Sequence, residues 1–98
     1  MLLDDLFAVS PDSFTQSDKD LIEKAYYFAE KAHEGQKRAS GEPYFTHCVA
    51  VAMILCELKV QSNVIAAALL HDTVEDTEIT LDQIRKEFGD EISQLVDG

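Results

Sequence analysis

Two nearly all-apolar stretches constrain the fold of this chain more than anything else in it. Cys48–Cys56 is a run of nine apolar residues, and Val64-Ile65-Ala66-Ala67-Ala68-Leu69-Leu70 follows after a mixed break. A helix that is apolar around its whole circumference has to be buried, so the rest of the chain must supply cover. The longer run is about half of the 18 or more residues that a membrane span requires. An all-α fold with these two stretches as interior helices is expected, the first from about Tyr44 or Phe45 to Leu58 and the second from a Ser62 cap to roughly Thr73.

The covering segments carry helical periodicity. Ser17 is read as the N-cap of an amphipathic helix with Asp18 and Asp20 in its first turn, where the helix dipole favours acids. Its apolar rows are Leu21, Ala25, Phe28, Ala32 and Ile22, Tyr26, Ala29, His33, with His33 at the edge of the stripe. Gly35 closes that helix. The polar loop Gln36-Lys37-Arg38-Ala39-Ser40-Gly41-Glu42-Pro43 follows. Thr80-x-x-Gln83 is a capping box for a short helix ending at Phe88, with Gly89 as its stop. Asp90 is read as capping a last helix that has only about two turns before Gly98. No segment alternates with period two. Residues 1–16 read as a lead-in segment in which Leu2, Leu3, Leu6 and Phe7 form a short packed turn, and residues 17–98 as one domain. A last helix this short is marginal without packing partners, so the expectation is the front part of a longer domain.

Eight Lys and Arg against nineteen Asp and Glu give a net charge of −11 over 98 residues. That balance argues against a nucleic-acid or anionic-membrane binder, which needs a basic face. An anionic small substrate remains compatible if a metal ion supplies positive charge. Cys48 and Cys56, eight residues apart on one helix, are separated by about 12 Å along its axis, too far for a disulfide. They read as reduced core thiols. With acids at Asp4 and Asp5 where a signal peptide would carry Lys or Arg, a cytoplasmic location is expected.

The chemistry concentrates where the second apolar helix ends. His71-Asp72 directly follows five apolar residues, which conflicts with burial unless something satisfies both. If the helix continues one more turn, Glu75 is i+4 from His71 and Asp76 is i+4 from Asp72. Crowded carboxylates repel and raise one another's pKa unless a cation sits among them. A divalent ion resolves the conflict, with His47 at the start of the other apolar helix as the third ligand. Mixed imidazole and carboxylate donors suit Mn²⁺, Fe²⁺ or Zn²⁺. His33 lacks such company and reads as structural.

These residues resemble the HD superfamily of metal-dependent phosphohydrolases, whose signature is two histidines separated by a helix with Asp directly after the second. More closely, Ala32-His33-Glu34-Gly35-Gln36, Arg38, Ser40-Gly41-Glu42-Pro43-Tyr44, His47 and His71-Asp72-Thr73-Val74-Glu75-Asp76-Thr77 resemble the hydrolase domain of the RelA/SpoT alarmone enzymes. The likeness covers about residues 17–98. It implies an HD-domain helical bundle that hydrolyses guanosine 3′,5′-bis(diphosphate) to release pyrophosphate from the 3′ position with Mn²⁺. His47, His71 and Asp72 would hold the metal, and Glu75 and Asp76 would position and activate the attacking water. Arg38 would stack on the guanine and Ser40 would line the same pocket. Ala39 stands where the family usually has Lys, which leaves Lys37 as the neighbouring cation. The family's fourth metal ligand, an Asp in a later helix, falls beyond Gly98. The expected partner is therefore a guanine nucleotide, with neither DNA nor membrane, and self-association through exposed apolar helices is a further expectation. Two other readings remain: a broader HD nucleotidase or phosphodiesterase, and a non-catalytic helical interaction module.

Overall fold

The computed structural model describes residues 3–37 and 39–97. Its helices are α1 (Leu3–Val9), α2 (Gln16–Ala32), α3 (Tyr44–Glu57), α4 (Ser62–Asp76), α5 (Leu81–Phe88) and α6 (Asp90–Asp97). Among the described residues there is no β-strand, only an isolated bridge between Lys37 and Pro43. The all-α expectation holds.

Helix α4 is the centre of the bundle, packing against α2, α3 and α6. Ile65, Ala66, Leu69, Leu70 and Thr73 are fully buried along it. Ile22, Ala25 and Ala29 of α2 are equally enclosed. Leu6 of α1 is fully buried as well, so part of the lead-in segment joins the same core; Leu2 lies outside the described residues. The two interior helices differ from expectation in one respect. Helix α3 buries Cys48, Val49, Ala52 and Cys56, yet Val51, Ile54 and the following Leu58 are exposed. Apolar composition states what a helix can bury and not which of its faces are covered.

Helix ends follow local hydrogen bonding. The cap of α2 is Thr15 rather than Ser17. The Thr15 hydroxyl accepts from Asp18 N at 3.2 Å and the Asp18 carboxylate accepts from Thr15 N at 2.8 Å, a reciprocal capping box. Ser62 is likewise not a cap. It is the first residue of α4, and its hydroxyl donates to Asp18 Oδ1 at 2.7 Å, joining the starts of α2 and α4. This hydrogen bond, followed by that from Thr15 N, holds the Asp18 carboxyl below its usual range. The Thr80–Gln83 capping box and the Gly89 stop form as the sequence predicts, and Asp90 is the first residue of α6 rather than its cap. Helix α2 ends at Ala32 with His33 as its C-cap, so Gly35 does not close it directly but follows two residues after that cap, with φ 83° in the left-handed region that glycine favours. Among the described residues no helix is long and apolar enough to cross a membrane.

Candidate metal centre

Helix α4 continues through Asp76, so the extra turn that the site requires is present. It brings His71, Asp72 and Glu75 together, each offering one ligand atom within 4.8 Å of the others. Positions i and i+4 share a helix face, which places Glu75 over His71. His71 Nδ1 lies 3.2 Å from Asp72 Oδ1. His71 and Glu75 are exposed and Asp72 is half-buried, so the cluster sits at a rim where an ion can enter.

His47, at the first turn of α3, lines a cavity of about 420 Å³ together with His71 and Asp72. Cys48, Val51, Leu55, Val64, Ala67, Ala68 and Leu95 complete its lining. His47 therefore faces the same space as the cluster without belonging to its mutual contact set. Asp76 is drawn to the group from the other side, since the Tyr44 hydroxyl donates to Asp76 Oδ2 at 3.0 Å and to Asp72 Oδ2 at 3.3 Å.

The loop before α3 is anchored to this end of α4 at both of its bases. Gln36 Nε2 donates to the Asp76 carbonyl at 2.6 Å, and Tyr44 N donates to the Gln36 carbonyl at 3.0 Å. Lys37 and Ser40 lie exposed on the loop between, and neither lines the cavity. Arg38 lies outside the described residues. His33 is buried and structural, with Nδ1 2.8 Å from Gln36 Oε1 and its ring stacked on Tyr44.

Sequence reasoning assigned no role to Tyr44; it placed Cys48 in the core, where the thiol is indeed buried, but gave it no part in the site. Both face the carboxylates. The Cys48 thiol donates to Asp72 Oδ2 at 3.7 Å. The signal was available in the spacing, because Tyr44, His47 and Cys48 stand at i, i+3 and i+4 on one face of α3. Donating to Asp76, then partial burial and the nearby Asp72 and Asp76 charges, push the Tyr44 phenol up to about 12. Burial, then the Asp72 charge, pushes the Cys48 thiol up to about 12. Both groups are neutral donors at ordinary pH.

One imidazole and two carboxylates converging at an accessible rim, with a second imidazole across the cavity, suit a hard or borderline divalent ion. The chemistry of the donor set fits such a cofactor.

Comparison with known proteins places this arrangement in a family. Residues 25–98 match the family described as HD domain. A probable GTP pyrophosphokinase of Mycobacterium leprae is 45% identical over 97 residues, covering 99% of this chain and 12% of that protein. The guanosine-3′,5′-bis(diphosphate) 3′-pyrophosphohydrolase of Vibrio cholerae is 42% identical over 97 residues, covering 99% of this chain and 14% of the relative. The bifunctional (p)ppGpp synthase/hydrolase SpoT of Escherichia coli is 51% identical over 77 residues, covering 79% of this chain and 11% of the relative. The chain thus spans between a tenth and a seventh of the length of these relatives. With the histidine-aspartate pair at the end of a buried helix, the match over residues 25–98 and these relatives together, the chain belongs to the HD-domain family and is an HD domain of the RelA/SpoT type.

Proposed function

We propose that this HD domain hydrolyses guanosine 3′,5′-bis(diphosphate) and its pentaphosphate relative, releasing pyrophosphate, with Mn²⁺ held by His47, His71 and Asp72. The observation that carries this reading is the convergence of His71, Asp72 and Glu75 beside a cavity that His47 also lines. Relatives named for pyrophosphate transfer match this chain over a small share of their length, 12% in the Mycobacterium leprae protein. Their named reaction therefore has ample room outside the matched segment. In this reading residues 17–98 are the amino-terminal part of a cytoplasmic hydrolase domain whose remainder lies in a longer protein.

When bound, the divalent ion supplies Lewis-acid polarisation of a phosphoryl oxygen. The chain's own residues supply the rest. Glu75 stands beside His71 and Asp72, and Asp76 beside Asp72, where carboxylates can orient the attacking water and accept its proton. Lys37 on the loop can offer positive charge to the phosphates in a chain whose net charge is −11. By the family resemblance, Arg38 would stack on the guanine face through a cation–π contact, and Ser40 would line the base pocket.

Replacing His71 by Ala tests this. Stoichiometric Mn²⁺ binding by the chain should be lost, together with any Mn²⁺-dependent pyrophosphate release from guanosine 3′,5′-bis(diphosphate). Retention of Mn²⁺ by the variant removes His71 from the site. Cleavage of nucleoside monophosphates or cyclic dinucleotides, with the 3′-diphosphate left intact, replaces this substrate with the broader nucleotidase reading.

A further inference from the structure

Tyr44 links the parts of the site that the ligand cluster alone leaves unconnected. Its hydroxyl reaches Asp76 Oδ2 at 3.0 Å and Asp72 Oδ2 at 3.3 Å, carboxylates on successive turns of α4. Like charges at i and i+4 repel, and a donor shared between them offsets that repulsion. The Asp72 carboxylate is thereby divided in use. Its Oδ2 accepts from the Tyr44 hydroxyl and the Cys48 thiol, while its Oδ1 faces His71 Nδ1 at 3.2 Å.

The phenol is itself held in place. Its ring stacks on His33 with centroids 5.1 Å apart and an interplanar angle of 27°, and stands edge-on to His47 at 6.2 Å. His33 is 2% exposed and is paired with Gln36 through Nδ1. Gln36 in turn donates to the Asp76 carbonyl. A continuous brace therefore runs from the end of α2, through the loop base and the first residue of α3, to the last turn of α4.

We infer that Tyr44 is the positioning residue of the cation site, its hydroxyl holding Asp72 by Oδ2 so that Oδ1 is presented beside His71. Tyr44 acts through Asp72 and touches neither ion nor substrate. The inference rests on the cation-binding reading above. Partners of this kind fix the orientation of a ligand, and losing one typically weakens metal binding about 10–100-fold. The competing role is packing, with the ring alone mattering as a platform between His33 and His47.

Tyr44→Phe separates the two, because it keeps the ring and removes only the hydroxyl. Mn²⁺ binding to the 98-residue chain is followed by the electron paramagnetic resonance of free Mn²⁺, beside thermal unfolding of the metal-free protein. Tyr44→Phe should bind Mn²⁺ about 10–100-fold more weakly, with the metal-free Tm essentially unchanged. Tyr44→Leu should cost a similar affinity. If Tyr44→Phe binds as tightly as the unsubstituted chain, the inference is overturned and the cation site stands. A loss of affinity matched by a large fall in metal-free Tm assigns the residue to packing and overturns it too. Failure of the unsubstituted chain to bind Mn²⁺ overturns both the inference and the reading beneath it.

Discussion

The two sides of α4 are built differently. Toward α2 the interface is sealed: Ile22, Ala25 and Ala29 are fully buried in one core with Ile65, Leu69 and Leu70, and the Ser62–Asp18 hydrogen bond ties the helix starts together. Toward α3 and α6 the same helix borders a cavity of about 420 Å³ lined in part by the exposed Val51 and Leu95, and Ile54 of α3 and Leu58 after it are exposed as well. Ala67 and Ala68 line that cavity, and their short side chains leave space that a leucine would fill. The comparison teaches how one helix serves stability and chemistry at once. Its closed side fixes the backbone, and its open side leaves room for a ligand beside His71 and Asp72.

The largest expected effect lies on the closed side. Ile22→Ala removes three carbons from a fully enclosed site and should lower the unfolding free energy by about 2–5 kcal/mol. Urea unfolding at an unchanged slope measures it. In a domain stabilised by about 5–15 kcal/mol, that is a large share of the total. A loss below about 1 kcal/mol would break the comparison, since typical core truncations cost more and the α2 side would then be as loose as the α3 side.

The features that sequence alone made legible are those set by neighbours along the chain. The Thr80–Gln83 box spans four residues, and the cluster of His71, Asp72 and Glu75 follows from helical spacing once α4 reaches Asp76. The start of α2 shows where local reading falters. Thr15 and Ser17 are both capping types, and the choice between them turns on the Asp18 side chain folding back to Thr15 N. Features that depend on packing were out of reach. Ser62 bonds Asp18 across 44 residues, and Tyr44 reaches Asp72 and Asp76 across 28 and 32. The first contact exists only because α2 packs on α4 and the other two only because α3 does, relations that no segment states alone. The exposed face of α3 escaped for the same reason.

A smaller effect is expected where α3 ends. Lys59 N donates to the Cys56 carbonyl at 3.0 Å and Val60 N to the Leu55 carbonyl at 3.4 Å, the paired bonds of a Schellman turn. The residue in the left-handed position of that turn is Lys59, with φ 61°. A non-glycine residue there costs about 1–2 kcal/mol. Lys59→Gly relieves that cost but adds freedom to the unfolded chain, so a net gain of about 0.5–1 kcal/mol is expected. The urea midpoint should rise accordingly. An unchanged midpoint would show that the lysine side chain contributes as much as the turn loses, and the open side would then be better held than its geometry indicates.

The smallest effect tests the open side directly. Ile54 is 58% exposed, so Ile54→Gln gives up little buried area, and glutamine is at least as good a helix former as isoleucine. The unfolding free energy should change by no more than about 0.5 kcal/mol, and the value should not depend on protein concentration. A loss above about 1 kcal/mol that grows as the protein is concentrated, well beyond the usual range for a surface substitution, would mean that a second copy of the chain covers this face. The two sides of α4 would then differ only in whether their cover comes from the same chain or from another.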